Sequence, residues 1–295
     1  MMTPIKAFLD FAAFIWKTLV GLAMNVAMAD PTSGTYAGLH RVVKIAYGTI
    51  LDIAIPLATI FFLVAVIKDA TQRSGEAVLH SLLASTIKFI CILILMNNMI
   101  TLLDSILQIG ANIGQSIGNK STNLTFDTDA IISALETDLV KPTFDIMDLK
   151  GFFNDLLNYI FSYLAMFIGT LIAVISVVAS AISIVGAAFQ RILKPLIIMP
   201  FSCVSASMSA AEGELGGAFN HFLKTFVSFA LGGAFIILSV QLGTKICSTS
   251  IFTSVFADRP TGLTGTLLDL TQYMLGPMIT VGLVKASDSV LSRLF

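Results

Sequence analysis

The chain has 295 residues, of which 56% are hydrophobic and 12% are charged, and its formal net charge is −1. Soluble domains carry about 25% charged residues, so this composition excludes an ordinary soluble protein and provides no bulk basic field for nucleic acid. The apolar runs are continuous and close to the roughly 20 residues that a helical span needs, whereas a β-barrel would alternate over strands of about 10 residues. The sequence therefore predicts an all-α, polytopic transmembrane helical bundle.

Residues 1–29 carry an apolar stripe at helical spacing, with Asp10 and Lys17 off the stripe. The stripe consists of Phe8, Phe11, Ile15, Leu19 and Leu22. This pattern predicts an N-terminal amphipathic helix that lies at the membrane surface. Two alternatives stay open: a true span, and a signal peptide with the small residues Ala27-Met28-Ala29 as its cleavage site.

Residues 30–109 form a predicted transmembrane hairpin, with spans from about 42 to 67 and from about 82 to 107. Two ionisable side chains within the spans are candidate functional residues, because charges inside a membrane are costly. Lys88 either snorkels to the surface or acts inside the bundle. Asp52 is too short to snorkel easily, so it either lines a wet cavity or meets a partner.

Residues 110–150 form a predicted extracytoplasmic polar loop, whose six acidic residues outnumber its three lysines. Gly110, Gly114 and Gly118 lie four residues apart, and they either form a ridge for close helix packing or end the second span. A short helix is predicted over residues 127–140.

Residues 151–295 form a predicted transmembrane core around the longest uncharged run of the chain, Leu156 to Gln190. Two basic residues and two prolines follow this run at once, so we expect one long span, a break within residues 191–211, and then a half-helix or re-entrant segment. Further spans are predicted over about 222–243 and 263–284, with Asp269 as a third candidate polar residue. The total is five full spans in addition to the N-terminal helix.

Small side chains recur at spacings of three and four on both sides of the predicted break. In lipid, helices associate through tight packing of small residues, so this face should contact another helix or another subunit. Its members are Ala173, Ser176, Ser180, Ser183 and Ala187 before the break, and Ser205, Ser209, Gly213 and Gly217 after it.

Catalytic signatures are missing from the sequence. It has no phosphate-binding Gly-x-x-x-x-Gly-Lys motif and no His-Glu-x-x-His. The three cysteines, Cys91, Cys203 and Cys247, include no Cys-x-x-Cys pair and are odd in number, which argues against a disulfide framework and a zinc site. We therefore predict a protein that is not an enzyme, with no catalytic, cofactor-binding or metal-binding residues.

Basic residues mark two turns, Lys68 with Arg73 and Arg191 with Lys194, and Lys and Arg are enriched in cytoplasmic loops. Placing both turns inside puts the acidic loop outside. If residues 195–211 re-enter rather than span, the N-terminus lies outside and the C-terminus lies in the cytoplasm. The predicted location is the inner, or cytoplasmic, membrane.

A long small-residue helix runs into Arg191-Ile-Leu-Lys-Pro-Leu-Ile-Ile-Met-Pro200, and then come a Ser/Ala stretch, Gly213 to Gly217, Phe222-Leu-Lys-Thr and another span. This pattern over residues 152–245 resembles the TrbL family, the polytopic inner-membrane subunits of type IV secretion and conjugation machines that correspond to the sixth VirB component. The versions in conjugative elements of Gram-positive bacteria are the most similar.

The resemblance implies a non-enzymatic subunit that forms homo-oligomers in the membrane and contributes to the path of single-stranded DNA or its attached protein. It also implies other machine subunits as partners, including ATPases that supply the energy. The acidic loop argues against a strong grip on phosphates, which depends on Lys and Arg. A secondary transporter with its site at the broken helix 195–211 is the main alternative, although the first half of the chain shows no matching broken helix.

Overall fold

The computed structural model describes residues 3–72, 76–119, 128–138, 149–211, 217–248 and 263–294. Within these ranges the protein is built of helices, joined in places by short 3₁₀ turns, and no strand occurs. The helices are α1 Thr3–Met28, α2 Ala37–Gln72, α3 Glu76–Gly118, α4 Thr128–Asp138, α5 Leu149–Ile198, α6 Ser202–Met208, α7 Ala218–Ser248 and α8 Leu263–Leu294. The predicted all-α fold class is confirmed.

Six of the described helices are long and apolar enough to cross a membrane, and they are α1, α2, α3, α5, α7 and α8. The prediction of a polytopic helical bundle is therefore confirmed. Helix α1 is the sixth candidate span, in addition to the five predicted ones. The predicted stripe of α1 is its outer face, since Phe8 and Phe11 are exposed, while Leu9 and Trp16 are buried on the other face. Because both faces are apolar, α1 has the composition of a span. Its predicted position at the membrane surface stays a prediction.

The chain divides into two compact units. The first comprises Met1–Asn25, Lys120–Ala188 and Ile236–Ser287, and the second comprises Val26–Asn119, Phe189–Phe235 and Asp288–Phe295.

In the first unit, α1 packs against α5 and α8. The rings of Phe8 and Phe167 meet edge to face with their centroids 5.9 Å apart. The hydroxyl of Tyr273 donates a hydrogen bond of 3.3 Å to the carbonyl oxygen of Leu9. Gly169 lies so close to Leu270 that a Cβ at this position would be 2.8 Å from the leucine methyl group. A bare glycine surface thus lets α5 and α8 approach closely.

The short helix α4 lies within the predicted range 127–140, and its first turn contacts α1. Lys6 and Asp129 form an ion pair of 3.0 Å between exposed side chains, and the Thr128 hydroxyl donates to Asp10 at 2.9 Å. Exposed pairs of this kind contribute little to stability, because water screens their charges.

In the second unit, α2 and α3 form an antiparallel hairpin. The Tyr47 hydroxyl donates to the carbonyl oxygen of Met96, and nearer the turn Phe62 stacks on Phe89 with 4.5 Å between the centroids. The hairpin encloses an apolar core to which α6 contributes Cys203, Ala206 and Ala210, the last just past its end. The predicted hairpin exists, and its helices extend beyond the predicted spans at both ends.

The break after α5 lies within the predicted interval, but it does not occur at Pro195. The helix continues through Pro195 to Ile198, and a 3₁₀ turn over Met199–Phe201 then leads into α6. A proline inside a helix removes one backbone hydrogen bond, and here the helix tolerates that loss. Pro200 stands in the first turn of the 3₁₀ segment, where a missing N–H costs little. The short helix α6 is a half-helix packed inside protein.

Candidate functional site

Arg191 is a buried cation on α5 that links two other segments of the second unit, the chain just after α1 and helix α7. The sequence places it in a basic turn, and that expectation is wrong. Residue 191 lies inside α5, and only 5% of it is exposed. Lys194 lies one turn further along the same helix, with Nζ 5.8 Å from the centre of the Phe229 ring. Because both cations turn towards α7, residues 191–194 do not form a solvated turn.

Two neutral carbonyl oxygens hold the guanidinium of Arg191. Nη1 donates to Ala29 at 2.9 Å, and Nη2 approaches the carbonyl of Ala230 on α7 at 3.5 Å. Ala29 follows the last turn of α1, where carbonyl groups lack intrahelical partners and the helix dipole is negative. Within the described residues, Arg191 forms no ion pair with a carboxylate.

The Gly232-Gly233 pair makes room for the guanidinium at the middle of α7. A Cβ on Gly233 would lie 2.5 Å from both the Ala27 carbonyl oxygen and Arg191 Nε. Such distances are far inside van der Waals contact, so only glycine fits without a rearrangement. Arg191 therefore lies beside the midpoint of a helix that is long enough to span a membrane.

The end of α3 completes this junction. The Gln115 side-chain amide donates to the carbonyl of Met28 at 3.2 Å, and Gly118 lies against the Met28 sulfur atom. Gly110 contacts the backbone carbonyl of Ala230 just as closely. All three predicted glycines thus belong to α3, which ends at Gly118, and Gly110 and Gly118 permit close packing.

A second polar group ties α2 to α3. His40 Nε2 and Asp104 Oδ1 are 2.7 Å apart, with side chains 7% and 16% exposed. Lys44 approaches the other carboxylate oxygen at 3.7 Å. The predicted first span begins at about residue 42 and so leaves out His40, and this pair was not predicted. Positions 40 and 104 face each other in an antiparallel hairpin, which is the signal that could have revealed it.

A cavity of about 390 Å³ lies in the second unit beside the end of α6. Its polar wall contains Asp69, His80, Ser81 and Lys88, and its apolar wall includes the stacked pair Phe62 and Phe89. Asp69 is buried and accepts a hydrogen bond from the Ser81 hydroxyl.

Lys88, a sequence-predicted candidate, lines this cavity and donates to the carbonyl of Ala211 at 3.4 Å. Asp52, the second candidate, is exposed on α2 and forms no ion pair with Lys88. The third, Asp269, belongs to α8, but its side chain lies outside the described residues. The structure therefore does not bring Asp52 and Lys88 together.

The residues of the predicted small-residue face differ in how deeply they are buried. Ala173 and Ser180 are buried, and the other members on α5 are half-buried: Ser176, Ser183 and Ala187. After the break, Ser205 and Ser209 are half-buried and Gly217 is exposed, whereas Gly213 lies outside the described residues. The buried hydroxyl of Ser202, at the start of α6, has no hydrogen-bond partner in the described part of the chain.

The described residues contain no cluster of side chains suited to redox chemistry or to metal binding. Cys91 and Cys203 are free thiols, and the side chain of Cys247 lies outside the description. No three His, Cys, Asp or Glu side chains are placed to hold a metal ion among the residues that were described.

The fold and its buried polar junctions define a multi-pass α-helical membrane protein. Comparison of the chain with models of protein families, with curated proteins and with solved structures finds no match.

Proposed function

We propose that the protein is a membrane-embedded, oligomerising channel or scaffold subunit of a conjugative type IV secretion machine, and that it contributes to the path of DNA and protein. The observation that carries the proposal is the structure of the segment on which the TrbL resemblance rests. Arg191 to Pro200 connects the long helix α5 to the half-helix α6, and its arginine is buried against α7. An ionisable group within a bundle is by default a functional-site hypothesis.

The proposed role requires no bond-making by this chain. Partner ATPases supply the energy, and the bundle provides a fixed frame that other subunits and the translocating single strand can contact. The proposed location is the cytoplasmic membrane, with the acidic loop and the N-terminus outside and the C-terminus inside. Lys68 and Arg73 remain the basic markers of the proposed cytoplasmic side, because Arg191 and Lys194 no longer serve as one.

Deletion of the gene in its own host, followed by measurement of conjugative transfer frequency, tests the proposal. We expect transfer to be lost and to be restored by the wild-type gene supplied on a plasmid. Arg191→Gln should restore little transfer even when it accumulates in the membrane, whereas the exposed Asp52→Asn control should restore it fully. Undiminished transfer in the deletion strain would overturn the proposal.

A secondary transporter is the second candidate, and the cavity beside α6 is the observation that favours it. The cavity combines a cation, a buried carboxylate and two stacked aromatic rings, which are groups that can orient a small polar solute. It lies at the end of the segment 195–211, where broken helices of transporters form their sites.

Solute-dependent stabilisation of the purified protein distinguishes the two functions. Binding to the folded state raises the unfolding temperature by mass action. The thermal unfolding midpoint is measured with a panel of small amino acids, carboxylates and amines. A solute that raises the midpoint of the wild type, but not that of Lys88→Gln, supports transport. An unchanged midpoint across the panel favours the secretion subunit.

A further inference from the structure

The cavity beside α6 lies between α2 and α3, near the turn that joins these two helices. Its volume of about 390 Å³ lies within the range of roughly 300–1,000 Å³ that is typical of small-molecule sites. Both helices are long and apolar enough to span a membrane, so this end of the hairpin belongs at a membrane surface. Ala84 and Lys88 on its wall are exposed, so a ligand can enter from the side of the hairpin.

Lys88 is the cation of this cavity, and its ammonium has capacity for an anionic ligand. The group can donate three hydrogen bonds, and it makes one long contact of 3.4 Å to the neutral carbonyl of Ala211. No carboxylate of the described part of the chain forms an ion pair with it. Ser85 lines the cavity one turn earlier on the same face of α3. An ammonium and a hydroxyl placed together in this way suit a phosphate group.

Asp69 gives the cavity a second, opposite charge closer to the turn. Its buried carboxylate accepts a hydrogen bond from the Ser81 hydroxyl, and an ionised carboxylate offers about four acceptor positions, so this bond does not exhaust its capacity. Ser81 precedes Lys88 by seven residues on α3, which is about 10 Å along the helix axis. A purely anionic ligand would be repelled at the Asp69 end, whereas a ligand with an ammonium at that end would be attracted.

We infer that the cavity binds a phosphoethanolamine group, which is a primary ammonium linked through two carbons to a phosphate, and that a membrane phospholipid provides it. The ammonium points towards Asp69 near the turn, and the phosphate contacts Lys88 and Ser85. The acyl chains continue past the stacked rings of Phe62 and Phe89 towards the middle of the membrane. Ammonium, phosphate and acyl chain follow one another in this order from the membrane surface inwards. Polar pockets between spanning helices are known sites for lipid headgroups.

Thermal unfolding of the purified full chain in mild detergent tests the headgroup, with added phospholipids that share the same acyl chains. Saturating phosphatidylethanolamine should raise the midpoint by about 5 °C. Phosphatidylglycerol lacks the ammonium, and the methylated ammonium of phosphatidylcholine cannot donate hydrogen bonds, so both should raise the midpoint much less. An equal rise with all three lipids would overturn the inference. Soluble phosphoethanolamine separates the two sources of the group: a rise with the lipid alone supports a membrane lipid, and an equal rise with the soluble compound would overturn that assignment in favour of a free solute.

Variants of the cavity test the protein side, with each rise measured from the midpoint of the variant itself. Lys88→Gln should lose most of the rise with phosphatidylethanolamine, whereas the matched control Lys17→Gln, at an exposed position of α1, should keep it. Asp69→Asn should lose the preference for phosphatidylethanolamine over phosphatidylglycerol, and Asp52→Asn should retain that preference. A full rise in Lys88→Gln would overturn the inference, and this comparison decides even if Asp69→Asn fails to fold.

The inferred site goes beyond the proposed secretion role and does not depend on it. Conjugative transfer is measured separately in the deletion strain. Loss of transfer supports the secretion role even if no lipid shifts the midpoint, and a headgroup-selective shift stands even if transfer is unaffected.

Discussion

Arg191 joins two segments of the second unit through the fork of its guanidinium. Its two terminal nitrogens reach the carbonyl of Ala29 after α1 and that of Ala230 on α7. Carbonyl oxygens are neutral, and the Asp30 carboxylate acts on the guanidinium through its charge without forming an ion pair. Close packing at Gly232-Gly233 fixes the geometry of the guanidinium.

Arg191→Lys should destabilise the protein although it keeps the charge. An ammonium is a point charge that cannot reproduce the planar fork, so one carbonyl contact should be lost at a cost of about 1–3 kcal/mol. The measurement is the thermal midpoint in mild detergent, compared with Arg41→Lys at an exposed position of α2. Equal midpoints for the two variants would show that the fork contributes nothing.

The His40–Asp104 pair should contribute to hairpin stability in the same way. Asp104→Asn removes the charge from a short, largely buried contact, and we expect a loss of about 1–3 kcal/mol. Asp52→Asn, on the exposed face of α2, should change the unfolding midpoint by little, within about 0.5 kcal/mol. A similar loss of unfolding free energy in both variants would mean that the His40–Asp104 pair contributes no more to stability than an exposed carboxylate.

At the level of single helices, close backbone approaches determine where α3 and α7 meet. Gly110 touches the Ala230 carbonyl, and a backbone atom cannot rotate away from a new side chain. Gly110→Leu should therefore cost about 3 kcal/mol or more through overpacking. Gly48→Leu meets open space and should be neutral or slightly stabilising, since leucine is the better helix former. Comparison of detergent-stable yield and thermal midpoint checks both, and a fully stable Gly110→Leu protein would contradict this packing.

Element type and approximate position could be predicted from hydropathy and length alone. The α2–α3 hairpin, the long α5 and the break after it all follow from apolar runs punctuated by polar turns and prolines. The face of a helix on which a residue lies could not be predicted, because a count of charges along the chain does not record the face that each charge occupies. In the sequence alone, Arg191 therefore looks like a charge that ends a span at the membrane surface. Only the Gly232-Gly233 pair, which is far away in sequence on α7, indicates the space that its side chain occupies. The His40–Asp104 pair was missed for the same reason.

At the scale of the whole molecule, the described helices carry extensive exposed apolar surface. Six of these described helices are long and apolar enough to span a membrane, and many large apolar side chains remain exposed on them. In water, exposed patches of this size mark interaction or membrane surfaces. In a multi-pass membrane protein such surfaces face lipid or other protein chains, and the proposed role as a conduit or scaffold subunit would use them for contacts with other chains.

The position of the acidic region relative to the membrane tests this account most directly. A cysteine introduced as Glu136→Cys on the exposed side of α4, in the background without native cysteines, is treated in intact cells with a maleimide that does not cross membranes. We predict labelling at this position and protection of Thr71→Cys, near the hairpin turn, until the cells are opened. Labelling of Thr71→Cys and protection of Glu136→Cys in intact cells, or release of the protein from membranes without detergent, would contradict the account.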